Sequence, residues 1–116
     1  VEDLLIRILS EMGYPVLLQG GLPPGEEYPE NFFTYWNNES PDAAFYNNKA
    51  HQVIWGYDVN FYTSNPAFLY IALADAKEKL KQSGFIVPSN GHSLASDEPT
   101  HTGRGMPVYY LKNKED

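Results

Sequence analysis

Cysteine is absent from the 116 residues, which excludes disulfides, thiolate chemistry and Cys-ligated zinc together. Positive charge is scarce: eight Lys and Arg stand against fifteen Asp and Glu, for a formal net charge of -7. A field of that sign repels phosphate backbones, and the one cation cluster, Lys77, Lys79 and Lys81, is too small to reverse it. Sequence-specific nucleic-acid binding is therefore not expected. No apolar run approaches the roughly 18 residues of a membrane-crossing helix, and Val1–Gly13 carries acids where a secretory signal carries bases. A soluble intracellular chain without a membrane partner is the expectation. Charged residues make up only 20% against 42% hydrophobic, which removes the disordered class for the bulk of the chain. At this length residues 1–116 form one domain, large enough for a two-layer core without metal or disulfide support.

Aromatic residues are plentiful, with nine Tyr, six Phe and two Trp. Four of them lie in His51–Thr63, HQVIWGYDVNFYT, which alternates like a strand yet carries rings on both sides. Val53, Trp55, Tyr57, Val59 and Phe61 share one face; Ile54, Gly56, Asp58, Asn60 and Tyr62 share the other. About 12 extended residues reach roughly 40 Å, long for a domain of this size. One face serves the core, and its partly apolar opposite requires a helix or a neighbouring subunit. That pattern points to assembly before catalysis.

Around this strand the periodicity predicts a first helix over Asp3–Met12, with Leu5, Ile8, Leu9 and Met12 on one stripe and Gly13 as terminator. A short strand follows over Tyr14–Gln19, then the loop GGLPPGEEYPE, then a strand over Asn31–Trp36. Ala43–Asn48 reads as an irregular link, with Asn47, Asn48 and Lys49 as the turn. The clearest helix is Pro66–Ser83, capped by Ser64 or Asn65, opened by Pro66 and closed by Gly84. Leu69, Ala72, Leu73, Ala76 and Leu80 form its buried stripe; Ala67 and Ala74 add small residues for close packing on a sheet. Phe85–Val87 extends a strand away from Gly84. Ser93–Ala95 and Met106–Leu111 make a closing pair of strands around the loop Ser96–Gly105, and residues 112–116 read as a loose tail. The expected fold is α+β: two helices on a mainly antiparallel sheet of four or five strands, in the order α-β-β-β-α-β-β.

Three groups invite a chemical reading. The segment DEPTHTGRG brings Asp97, Glu98, His101 and Arg104 within eight residues, with His92 upstream. The spacing matches no HExxH or other metal pattern, and acid–base work by His101 with Asp97 requires mutual reach and a cleft. A structural role suits it better: Pro99 fixes the chain, Gly103 and Gly105 permit tight turns, and Arg104 forks onto Asp97 or Glu98 or onto a neighbour's carboxylate. Gly20–Gly25 fits neither GxGxxG nor the Walker spacing, and Glu26, Glu27 and Glu30 oppose an anion, so it reads as a fixed loop. His51 and Asp58 fall on opposite strand faces and form no dyad. Trp36 and Trp55 are core or interface anchors, core being favoured. Tyr109 and Tyr110 face opposite ways, so one reaches the second face. Trp55, Tyr57, Tyr62, Arg104, Tyr109 and Tyr110 are the candidate contact residues; no catalytic, cofactor-binding or metal residue is assigned.

GGLPPGEEYPENFFTYWNNESPDAAFYNNK, the strand VIWGYDVNFYTSNP, the helix ending KLKQSGF, and SLASDEPTHTGRGMPVYYL together resemble small tail-completion proteins of long-tailed bacteriophages and prophages. The resemblance covers nearly the whole chain and carries no catalytic signature. It implies an α+β subunit of the tail-terminator or head–tail joining class, closing into a ring that is often a hexamer. It also implies tail-tube and connector proteins as partners, a place in the virion tail after assembly in the host cytoplasm, and no enzymatic activity or cofactor. Two other readings stand beside it: a stand-alone protein-binding or regulatory domain using Tyr109, Tyr110 and the Asp97–Gly105 loop, and a small hydrolase using His101 and an adjacent acid.

Overall fold

Residues 1–21, 28–39, 42–46, 49–96 and 99–113 are described by a computed structural model. In chain order they form α1 (Glu2–Ser10), β1 (Val16–Leu18), β2 (Asn31–Glu39), β3 (Asp42–Tyr46), β4 (Lys49–Thr63), α2 (Pro66–Gln82), β5 (His92–Leu94) and β6 (Thr102–Asn113). The class is α+β, as the sequence implies, with both helices on one face of a six-stranded mixed sheet. Its path is β1-β2-β4-β6-β5, and only the β1–β2 pair is parallel.

β4 organises everything. One edge pairs with β6 from Gln52 to Thr63. The other edge pairs with β2 over Gly56–Thr63 and then with β3 over Lys49–Val53. β2 and β3 thus act as one antiparallel partner, bent by a register shift between Asn37 and Glu39. The segment expected to be an irregular link is instead β3, a sixth strand, because β4 runs far enough to template it. Asn47 and Asn48, the expected turn, lie outside the described residues; Lys49 already belongs to β4. The molecule extends 53 Å along its long axis, against 29 and 23 Å across.

The odd-numbered face of β4 meets the helices. Tyr57, Val59 and Phe61 are buried there with Phe33, Met106 and Val108. Leu5, Ile8 and Leu9 come down from α1, and Leu69, Ala72, Leu73, Ala76 and Leu80 from α2. Each large aliphatic side chain so buried contributes about 1.5–3 kcal/mol. Ala72 and Ala76 supply the close approach; Ala67 and Ala74 face solvent. Asn65 caps α2 through its side chain, accepting from the Ala67 amide at 3.2 Å, and Gly84 follows the helix at φ +97°. The corner into α2 is tied by Thr63, whose hydroxyl donates to Asn31 Oδ1 (2.6 Å) and accepts from the Asn65 amide (3.1 Å).

β6 departs most from expectation. It starts at Thr102, four residues before the expected Met106, and continues through Lys112 and Asn113, which are therefore not loose. Gly103 and Gly105 are strand residues, not turn residues. A Cβ on Gly103 would lie 2.6 Å from the Tyr62 ring, and one on Gly105 would collide with the Asn60 amide oxygen. Their missing side chains make room for cross-strand neighbours. Phe85–Val87 contributes a single bridge, Ile86 to Tyr109, and is not a full strand.

Candidate interface on the second face of the sheet

The face of the sheet turned away from the helices divides into two halves. At one end Phe32, Thr34, Asn60 and Tyr62 lie beneath segments of the same chain. Tyr28 meets Phe32 edge-on at 5.5 Å, Phe32 stacks on Tyr62 at 5.2 Å, and the His101 ring closes over Tyr28 and Phe32. His101 fastens this lid. The Pro29 carbonyl can only accept, so the 2.8 Å contact to Nε2 places the proton there; in the neutral ring Nδ1 accepts from the Thr100 hydroxyl at 2.9 Å. A cleft of about 420 Å³ opens beside the cluster, among Leu17, Gln19, Tyr28, Thr34 and Tyr62. Gly20 and Gly21 line it, and the Gly21 amide closes a turn onto the Leu18 carbonyl at 2.7 Å; residues 22–27 of the expected fixed loop lie outside the described residues.

Among the described residues the other half is bare. Trp36 is 50% exposed, Ile86 48% and Leu111 42%, with Ile54, Pro107 and Tyr109 partly exposed among them. Register fixes their grouping: Trp36 opposes Asp58 and then Pro107, Gly56 opposes Tyr109, and Ile54 opposes Leu111. Ile86 joins through its bridge to Tyr109. Asp58, an acid within the patch, accepts from the Asn38 amide at 3.0 Å and so has a partner. Apolar surface of this kind marks a contact site when it is contiguous.

The expected contact residues separate accordingly. Tyr109 belongs to the bare half. Tyr62 belongs to the covered half. Tyr57 is fully buried under the helices and cannot serve an interface; its place in the odd-numbered register commits it to the core. Burial pushes its phenol up to about 12, with Glu2, Tyr35 and Asp3 adding negative potential. Tyr110 also turns to the helix side, where its ring meets Phe85 at 5.0 Å, and Trp55 packs against the core edge. Trp36, placed in the core by preference, is instead a leading exposed residue; the signal was its position, three residues after Phe33 and so on the opposite face.

Asp97 and Glu98, the proposed partners of both His101 and Arg104, lie outside the described residues. Arg104 is held elsewhere: its Nε and Nη2 donate to the carbonyls of Asn90 (3.1 Å) and Gly91 (3.0 Å). His92 pairs with Gly105, four residues along β6 from His101 and so about 13 Å away, too far to share a metal ion. Among the described residues no group of three His, Asp or Glu could hold one. No family model matches this chain, and no curated protein matches it significantly.

Proposed function

We propose that this chain is a structural tail protein of a long-tailed phage or prophage, working as a subunit of a homo-oligomeric ring at the head–tail junction or tail end. The observation that carries the reading is the bare half-face of Trp36, Ile54, Ile86, Tyr109 and Leu111, apolar surface that the chain builds and leaves open. The likeness to tail-completion proteins supplies the setting, and tail-tube and connector proteins are its further partners.

A ring repeats one heterologous contact until it closes, so each subunit needs two different surfaces. The open face is one. Burying about 400 Å² of it at about 25 cal/mol per Å² would yield roughly 10 kcal/mol, against an association cost of about 4–15 kcal/mol. That balance is marginal, so the contact must extend beyond the patch, and the β3–β4 pair, which carries the sheet on past β2, is the adjoining surface. The acidic balance, net -7, is compatible with a channel through which DNA passes without adhering. Light scattering tests the reading. A homogeneous multiple of the subunit mass is expected, and Trp36→Glu is expected to collapse it to monomer; a wild-type chain that stays monomeric at high concentration, alone and with tail-tube protein, overturns it.

A further inference from the structure

A second surface stands on the helix side, where two cations meet at one residue. Lys77 on α2 donates from Nζ to Asn90 Oδ1 at 2.8 Å, and Arg104 on β6 donates from Nε to the Asn90 carbonyl at 3.1 Å. Between them lies a notch of about 260 Å³, floored by Leu73 and walled by Tyr70, Ala74 and Asn90. Arg104 is fixed before anything binds. Its Nη2 also reaches the Gly91 carbonyl, and its guanidinium lies over the Tyr70 ring, 4.9 Å from the centroid. The Gly91 turn is itself locked: its φ is +88°, and a Cβ there would strike the Gly105 carbonyl.

Arg104 has five N–H donors and spends two; Lys77 has three and spends one. Among the described residues neither forms an ion pair with a carboxylate. In a chain with fifteen acids and eight bases, two adjacent cations with no acid beside them among the described residues stand out. A planar fork beside a point charge fits a carboxylate, and the pinned guanidinium loses little conformational entropy in taking one.

We propose that this notch receives an Asp or Glu carboxylate from a second copy of the chain. The inference rests on the ring reading above and deepens it. Two copies at net -7 repel each other, so their contact needs a place where the sign is locally reversed. The notch provides one, on the opposite side of the sheet from the apolar half-face, so the two surfaces are different patches, as a heterologous contact requires.

The test compares wild type with Lys77→Gln by light scattering across a dilution series at low and high salt. Circular dichroism checks the fold of the variant, and sodium acetate titration is followed at the Arg104 Nε–H signal by NMR. The variant is expected to dissociate at about tenfold higher concentration than wild type, with a shallower salt dependence. Acetate is expected to shift the Arg104 signal and weaken association. Equal dissociation of folded variant and wild type overturns the notch while leaving the ring reading intact. A monomeric wild type overturns both. Acetate binding without any dependence of association on Lys77 assigns the notch to free carboxylates and overturns the second copy as occupant.

Discussion

Phe32 and Trp36 lie on the same face of the same strand, four residues apart, yet one is 3% exposed and the other 50%. What separates them is the reach of the chain. Tyr28 and Pro29 run directly into β2, and His101 directly into β6, so both segments are tethered at the Phe32 end of the sheet. There a ring cluster and one imidazole–carbonyl hydrogen bond make a lid. At the Trp36 end the adjoining chain goes into β3, which pairs with β4 and extends the sheet. A two-sided strand therefore needs two kinds of cover. Loops supply the first; on the proposed reading a neighbouring subunit supplies the second.

The largest effect that would break the comparison falls on the covered half. Phe32→Ala is expected to cost about 3–5 kcal/mol in chemical denaturation, since it removes the ring on which Tyr28, Tyr62 and His101 converge. Trp36→Ala is expected to change monomer stability by no more than about 0.5 kcal/mol while weakening self-association about thirtyfold or more. A Trp36 variant that unfolds the monomer would make both halves equally structural and erase the distinction.

Tyr57 sharpens the comparison by showing what helix cover does. Its phenol is pushed up to about 12 from an ordinary 10.0, chiefly by burial. Below pH 10 both folded and unfolded chains keep the proton, and the residue adds no pH dependence. As pH rises past 10 the unfolded chain releases the proton first, so stability falls, by roughly 2–3 kcal/mol once pH reaches 12. Burial raises the Tyr35 phenol in the same direction. Urea midpoints between pH 9 and 12 measure the slope, and Tyr57→Phe is expected to flatten it; an unchanged slope would mean the hydroxyl is hydrated.

Much of this was legible in the residues. The α2 stripe and its Asn65 cap follow from 3.6-residue periodicity and hydrogen-bonding chemistry, and the two faces of β4 follow from alternation. Less visible was Gly103–Gly105, because two closely spaced glycines signal a turn unless the bulky cross-strand partners, Tyr62 and Asn60, are already known. Register is a long-range property. The role of Arg104 was hidden for the same reason: two carbonyls at residues 90 and 91, distant along the chain, hold its guanidinium. Tyr57 and Tyr62 look alike as letters, and only the register of β4 sends one to the core and the other under a lid.

The smallest expected effect tests how completely the lid does its work. Thr34 sits between Phe32 and Trp36, only 8% exposed, and its hydroxyl is buried with no hydrogen-bond partner among the described residues. Its opposite residues are Leu17 on β1 and Asn60 on β4. A hydroxyl without a partner costs about 1–3 kcal/mol in desolvation, whereas valine keeps the shape and strand preference without that cost. Thr34→Val is therefore expected to stabilise the monomer by about 1 kcal/mol, read as a raised urea midpoint with unchanged slope. A loss of stability instead would mean that water enters the 420 Å³ cleft and satisfies the hydroxyl. In that case the covered half is only partly covered, and the boundary between the two halves lies nearer Phe32.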